Sequence, residues 1–189
     1  MARTRPRIPG STGAVHPVTV WPDPVLRTAC ATVTTFDDQL ERLVEDLYAT
    51  MYAEDGVGLA ANQIGVGLRV FVYDCPDDED VRHLGHLVNP VLVEADGVSV
   101  RGEEGCLSLP DVRAGVPRWD RAVVRGQDLT GAAVEVEGTG FFARCLQHET
   151  GHLDGGVFVQ ELSGLRRVRA DRAIRRSPWY RGPGGPGTR

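Results

Sequence analysis

The apolar positions after residue 37 recur with a helical period. Leu40, Leu43, Val44, Leu47 and Met51 fall at i, i+3, i+4, i+7 and i+11, one face of an amphipathic helix. Asp37 or Asp38 supplies its N-cap, and Gly56 and Gly58 end it. The small-residue stretch GVGLAANQIG (56–65) leads into Leu68-Arg69-Val70-Phe71-Val72-Tyr73, whose composition predicts a strand. Further strands are predicted at 87–93, 121–125 and 134–137, set apart by Gly, Pro and Asp turn signals. The acidic run Asp77 to Asp80 reads as a solvated loop. Helical spacing returns from Phe141 to Leu153, stopped by Gly155-Gly156, and a last helix is predicted from about 164 to 176. Short strands with hairpin-length gaps favour antiparallel pairing. The expected class is therefore α+β, with antiparallel β-sheets packed around a central helix at 141–153 that carries an HExxH motif.

Length and composition narrow this picture. At 189 residues the chain holds one domain with a proper core, and 41% apolar and 25% charged residues are ordinary for a globular protein. No stretch approaches the roughly 18 uninterrupted apolar residues of a membrane helix. The first 22 residues lack acids and carry Arg3, Arg5 and Arg7, but they have no apolar core segment, and Pro6, Pro9 and Gly10 spoil a transit helix. The expected organisation is a disordered arm at 1–15, a catalytic domain at 16–165, and a basic helix with a disordered tail at 166–189. Cys30, Cys75, Cys106 and Cys145 show no C-x-x-C spacing, so free thiols and a cytosolic setting are expected.

Charge is uneven. The net charge is -5, and all 21 basic residues are arginine. Residues 161–189 hold eight arginines against Glu161 and Asp171, a balance of +6, so the preceding 160 residues sum to -11. The run from Arg166 to Arg176 reads as a solvated helix or as a salt-sensitive contact with ribosomal RNA. Nothing points to sequence-specific DNA recognition or to a membrane.

The candidate chemistry sits at His148-Glu149-Thr150-Gly151-His152. Two histidines four apart on a helix face the same way and can hold one divalent cation, with Glu149 placed to deprotonate a water beside it. Flanking Phe141, Phe142, Cys145, Leu146 and Leu153 place the helix in the interior, where such polar groups need partners. A catalytic site needs a third ligand. The metzincin peptidase pattern would put it at position 158, but Phe158 cannot coordinate. Asp154, Glu161 and the upstream Cys106 stay open as candidates, and a zinc peptidase built on the same helix is the alternative reading.

Three segments in order resemble the peptide deformylase family: Gly56-Val57-Gly58-Leu59-Ala60-Ala61-Asn62-Gln63, Glu104-Gly105-Cys106-Leu107-Ser108, and Gln147-His148-Glu149-Thr150-Gly151-His152. The resemblance runs from about Pro22 to about Leu162. It implies Cys106, His148 and His152 as ligands of one divalent metal, iron(II) (Fe2+) by the family's habit, with zinc, nickel or cobalt as substitutes. It also implies removal of the formyl group from the N-terminal formylmethionine of nascent polypeptides. Glu149 would be the base, and the Gln63 side-chain amide and Leu107 N–H the oxyanion donors. Gln63 can equally be a structural amide joining the small-residue stretch to the helix. Val57, Phe141, Cys145 and the stem of Arg144 would line a methionine slot, and Gly58 would pair with the peptide backbone. Arg113 and Arg118 lie near the expected substrate groove or are plain surface charges. Gly151 stands where many relatives carry aspartate. A bacterial cytoplasm is the expected location, an organelle the lesser one.

Overall fold

The computed structural model describes residues 9–180 and 182. Its helices and strands run α1 (Asp38–Ala53), β1 (Gly58–Ala60), β2 (Val70–Pro76), β3 (Arg82–Cys106), β4 (Leu109–Gln127), β5 (Ala133–Thr139), α2 (Gly140–Leu153) and α3 (Gly164–Arg176), with 3-10 turns at Pro24–Arg27, Ala61–Ile64 and Phe158–Glu161. The five strands form one antiparallel sheet in sequence order.

The sheet carries a helix on each face, and β2 shows why. Val70 and Val72 pack against Leu40, Val44, Leu47 and Met51 of α1. Phe71, Tyr73 and Cys75 point the other way, onto Phe142, Ala143, Cys145 and Leu146 of α2. Alternate side chains of a strand face opposite sides, so a strand covered on both faces reads as the unbroken apolar run seen at 70–73. Each buried side chain of this size contributes roughly 1.5–3 kcal/mol, and these two rows fix both helices on the sheet. Asp37 caps α1 by accepting from the N–H groups of Gln39 and Leu40, at 2.9 and 3.1 Å.

β3 and β4 run far beyond the predicted 87–93 and 121–125. Their added halves contain Gly97, Gly102, Gly105, Gly115 and Pro117 among charged residues, which imitate turns in the sequence. Backbone pairing holds them instead, with register shifts at Val88/Val91, Leu92/Glu94 and Asp96/Ser99. The pairing closes at Cys106–Leu109, so the hairpin tip delivers Cys106 to the side of α2.

Both ends of the described chain lie against this body. Residues 1–8 lie outside the described residues, but 9–15 of the expected disordered arm rest on α1: Thr12 Oγ1 donates to Glu45 at 2.9 Å and Ala14 N–H to Asp46 at 2.7 Å. The helix expected to follow the catalytic domain at residue 166 packs onto it. Ala170 and Ile174 of α3 join Leu109, Val112, Val116 and Phe158 in a third apolar cluster, and Trp179 Nε1 donates to Pro110 O at 3.1 Å. Most of the expected tail lies outside the described residues. All four cysteines are free thiols, and among the described residues no helix is long and apolar enough to cross a membrane.

Candidate metal centre

α2 buries Phe142, Leu146 and Leu153 on the sheet side, which turns His148 and His152 toward the β3–β4 tip. Cys106 Sγ lies 3.2 Å from His152 Nε2, and the two Nε2 atoms lie 3.2 Å apart. Ligands on a tetrahedral ion at thiolate and imidazole bond lengths stand roughly 3.3–3.6 Å from one another, so the donor set fits such an ion. Among the described residues this is the one group of three converging donors, all within 4.8 Å. Asp154 and Glu161 are no part of it. Asp154 pairs with Arg69 at 2.8 Å with its side chain 63% exposed, and Glu161 sits 3.9 Å from Arg118. Phe158 lays its ring along His148, with centroids 6.2 Å apart.

Sequence reasoning passed over Glu104. It lies two residues before Cys106 on β3, and that i, i+2 spacing on a strand is the signal that puts both on one face. Its Oε2 lies 3.0 Å from His148 Nδ1. A proton on Nδ1 leaves Nε2 free to coordinate, and a carboxylate behind a ligating histidine fixes the ring and raises its basicity. Glu104 Oε1 accepts from Arg118 Nε at 2.9 Å and Arg144 Nη1 at 2.8 Å. Burial alone would raise its carboxyl, but the hydrogen bonds from His148 and Arg118 outweigh it and hold the group down at about 2.

Glu149 stands in the opposite environment. It is 4% exposed, and its Oε2 has no hydrogen-bond partner among the described residues. Burial pushes its carboxyl up to about 7, with Glu104 adding to the rise and His148 opposing it. Gly58 of β1 is pressed against it: a Cβ there would lie 2.5 Å from Glu149 Oε1 and 3.0 Å from Cys145 Sγ. Gln63, 2% exposed, accepts from Ala60 N–H at 2.9 Å and turns its Nε2 toward Cys106 Sγ, 3.6 Å away, and Ser108 Oγ, 3.3 Å away. The structural link to α2 belongs to its neighbour, since buried Asn62 donates to the His152 carbonyl at 2.6 Å. Leu107 follows Cys106 at the hairpin tip.

A cavity of about 520 Å³ opens over this group. Val57, Gly58, Phe141, Arg144 and Cys145 all line it, together with Gln63, Cys106, Leu107, His148 and Glu149. Arg144 does more than lend an aliphatic stem. Its guanidinium donates to Val100 O and Val116 O at 2.8 and 2.9 Å, tying β3 to β4 beneath the cavity. Arg118 is neither a groove residue nor a surface charge; it is the part-buried partner of Glu104. Arg113 lines the mouth and is 70% exposed beside Glu103.

Main-chain bonds from the N-terminal segment reach the first two motifs and the residue that follows the third. Thr19 N–H donates to Gln63 O at 2.8 Å, Trp21 N–H to Ser108 O at 2.9 Å, and Cys30 N–H to Leu153 O at 2.8 Å.

Known proteins resemble this chain over most of its length. The family profile for polypeptide deformylase matches residues 15–168. A protein named peptide deformylase 2 from Streptomyces avermitilis is 63% identical over 174 residues, covering 92% of this chain and 94% of its own. Among solved structures, a peptide deformylase from Legionella pneumophila is 40% identical with a TM-score of 0.76, covering 87% of this chain and all of its own. A class I type b peptide deformylase from Acinetobacter baumannii, described as bound to Met-Ala-Ser, is 34% identical with a TM-score of 0.72, covering 79% of this chain and 99% of its own. The matched span takes in the sheet, the hairpin that brings Cys106 to α2 and the HExxH helix itself, and the chain belongs to the peptide deformylase family of enzymes.

Proposed function

We propose that this enzyme removes the formyl group from the N-terminal formylmethionine of newly made polypeptides and releases formate, with Cys106, His148 and His152 holding one divalent metal ion. The observation that carries the reading is the convergence of those three donors beside the buried Glu149. When bound, such an ion lowers the pKa of water and polarises a carbonyl.

The residues divide the remaining work. Glu149 takes a proton from the attacking water, whose oxygen bonds to the formyl carbon. Buried beside that water, its carboxyl can hold the proton and return it to the leaving amine nitrogen as the C–N bond breaks. The Gln63 amide and the Leu107 N–H donate to the oxygen that gains charge. Glu104 keeps His148 oriented and does not touch substrate. Val57, Phe141 and Cys145 accept the methionine side chain, and the backbone at Gly58 pairs with the peptide. A relative described as bound to Met-Ala-Ser, a peptide that begins with methionine, supports that slot.

A soft thiolate with two imidazoles suits iron(II), zinc, nickel or cobalt, and iron(II) is the proposed native ion. A bacterial cytoplasm suits a site that needs Cys106 reduced. Residues 16–180 act as one catalytic body, and the exposed arginines 166, 169, 172, 175 and 176 of α3 contact ribosomal RNA. Formate release from a formyl-Met peptide by the anaerobic iron(II) protein tests the function. Cys106→Ser is expected to lose both metal and turnover, and metal-loaded protein without turnover would overturn the reading. Changing the five arginines to glutamine should abolish salt-sensitive pelleting with ribosomes.

A further inference from the structure

The acidic loop between β2 and β3 reaches the start of the catalytic helix. Phe141 N–H donates to Asp78 Oδ1 at 2.9 Å. Thr139, at the N-cap of α2, makes no side-chain bond to the helix, and its first turn contains no acid. The first N–H groups of a helix need acceptors, and a carboxylate there also meets the positive end of the helix dipole. Asp78 answers that need from outside the helix. Gly140 makes room for it: with φ +54°, it has no Cβ where one would collide with the Asp78 carboxylate.

The loop is itself fastened. Asp77 Oδ1 accepts from the N–H groups of Glu79 and Val81, each at 2.9 Å, and Asp77 Oδ2 lies 2.9 Å from His83 Nε2. The His83 ring stacks on Phe142, centroids 4.1 Å apart and 7° from parallel. The segment 77–83 thus touches three consecutive residues, Gly140, Phe141 and Phe142, at the end of α2 that borders the cavity. Phe141 is 38% exposed and lines that cavity.

We infer that Asp78 is a positioning residue for substrate binding: by capping α2 from the β2–β3 loop it sets the Phe141 side of the slot for the first residue of the peptide. This rests on the proposed deformylase reading. Asp78 lies outside the cavity lining and away from Glu149 and the metal ligands, so its loss should weaken binding and leave the chemical step alone.

The experiment is steady-state formate release from formyl-Met and formyl-Ala tripeptides by the iron(II) protein and its Asp78→Ala, Asp78→Asn and Glu79→Ala variants. Asp78→Ala should raise KM for the methionine peptide about fivefold, with kcat within about twofold, and narrow the preference for methionine over alanine. Asp78→Asn, whose side-chain oxygen also caps, should recover most of the loss. Glu79→Ala removes a charge from the same loop and should behave as wild type. An unchanged KM in Asp78→Ala, or an equal rise in Glu79→Ala, overturns the inference, whatever the melting temperature does. Should Asp78→Ala fail to fold, Asp78→Glu decides in its place: it keeps the charge but lengthens the reach, and must raise KM. A wild-type enzyme that releases no formate sinks the functional reading and this one together. An active wild type with an unmoved KM in the variant sinks this one alone.

Discussion

Replacing Gly58 by alanine should separate catalysis from stability. The added Cβ would meet Glu149 Oε1 at 2.5 Å and Cys145 Sγ at 3.0 Å, where ordinary contact begins at 3.4 Å. Something must move by about 0.9 Å, the gap between 2.5 and 3.4 Å. β1 is held by its pairing with β2 and by the bond from Asp74 N–H to Val57 O at 2.9 Å. The Cα of Glu149 is held by the packing of α2 on the sheet. The free end of the Glu149 side chain is the part that yields, by swinging toward the cavity. The stability loss should stay near the low end of the 1–3 kcal/mol seen for overpacking, about 1 kcal/mol. A catalytic group displaced by close to 1 Å can lose about 10²-fold in rate, or about 2.7 kcal/mol of barrier. Urea denaturation and formate-release kinetics on the same metal-loaded preparation read the two effects. A kcat within threefold of wild type would refute the placement of Glu149 as the base.

Other consequences are open to measurement. Gly151→Ala should raise unfolding free energy by roughly 0.5–1 kcal/mol in urea melts, because the added methyl meets nothing within 4 Å; a loss of stability would show that the helix needs glycine there. Glu104→Gln should lower metal affinity by about 10- to 100-fold in a chelator competition, since it uncouples His148 from its carboxylate; unchanged affinity would refute that role. Asp74, hydrogen-bonded to Arg82 and Tyr52, is held below its ordinary value chiefly by Arg82. Its contribution is therefore full above about pH 4 and fades as pH falls through the lowered value. Wild type and Asp74→Asn should differ in unfolding midpoint at pH 7 and converge toward pH 3, and parallel curves over that range would contradict the pairing.

What the sequence disclosed follows how locally each feature is encoded. α1, α2 and α3 are legible because their apolar periods, caps and stops lie within one short window, and β2 because its two buried faces leave an unbroken apolar run. The outer halves of β3 and β4 are illegible, since backbone pairing between Gly- and charge-rich segments leaves no alternation to read. The three converging donors are legible only through motif resemblance; spacing alone stops at two histidines, with Asp154 and Glu161 as open as Cys106. Arg118 and Arg144 read as groove or lining residues because their partner Glu104 is 14 and 40 positions away. Asp78 hid in an acidic run of the kind that solvated loops share. Only the turn of the chain brings it to Gly140.

The bonds from Thr19, Trp21 and Cys30 to Gln63, Ser108 and Leu153 all leave from peptide N–H groups. Nineteen of the twenty amino acids carry that group, so mutation can rewrite these side chains without cutting a single one of the ties. Proline alone lacks the donor. At positions 19, 21 and 30 the ties themselves ask only for a residue other than proline, while packing limits what the buried side chains of Thr19 and Cys30 can become.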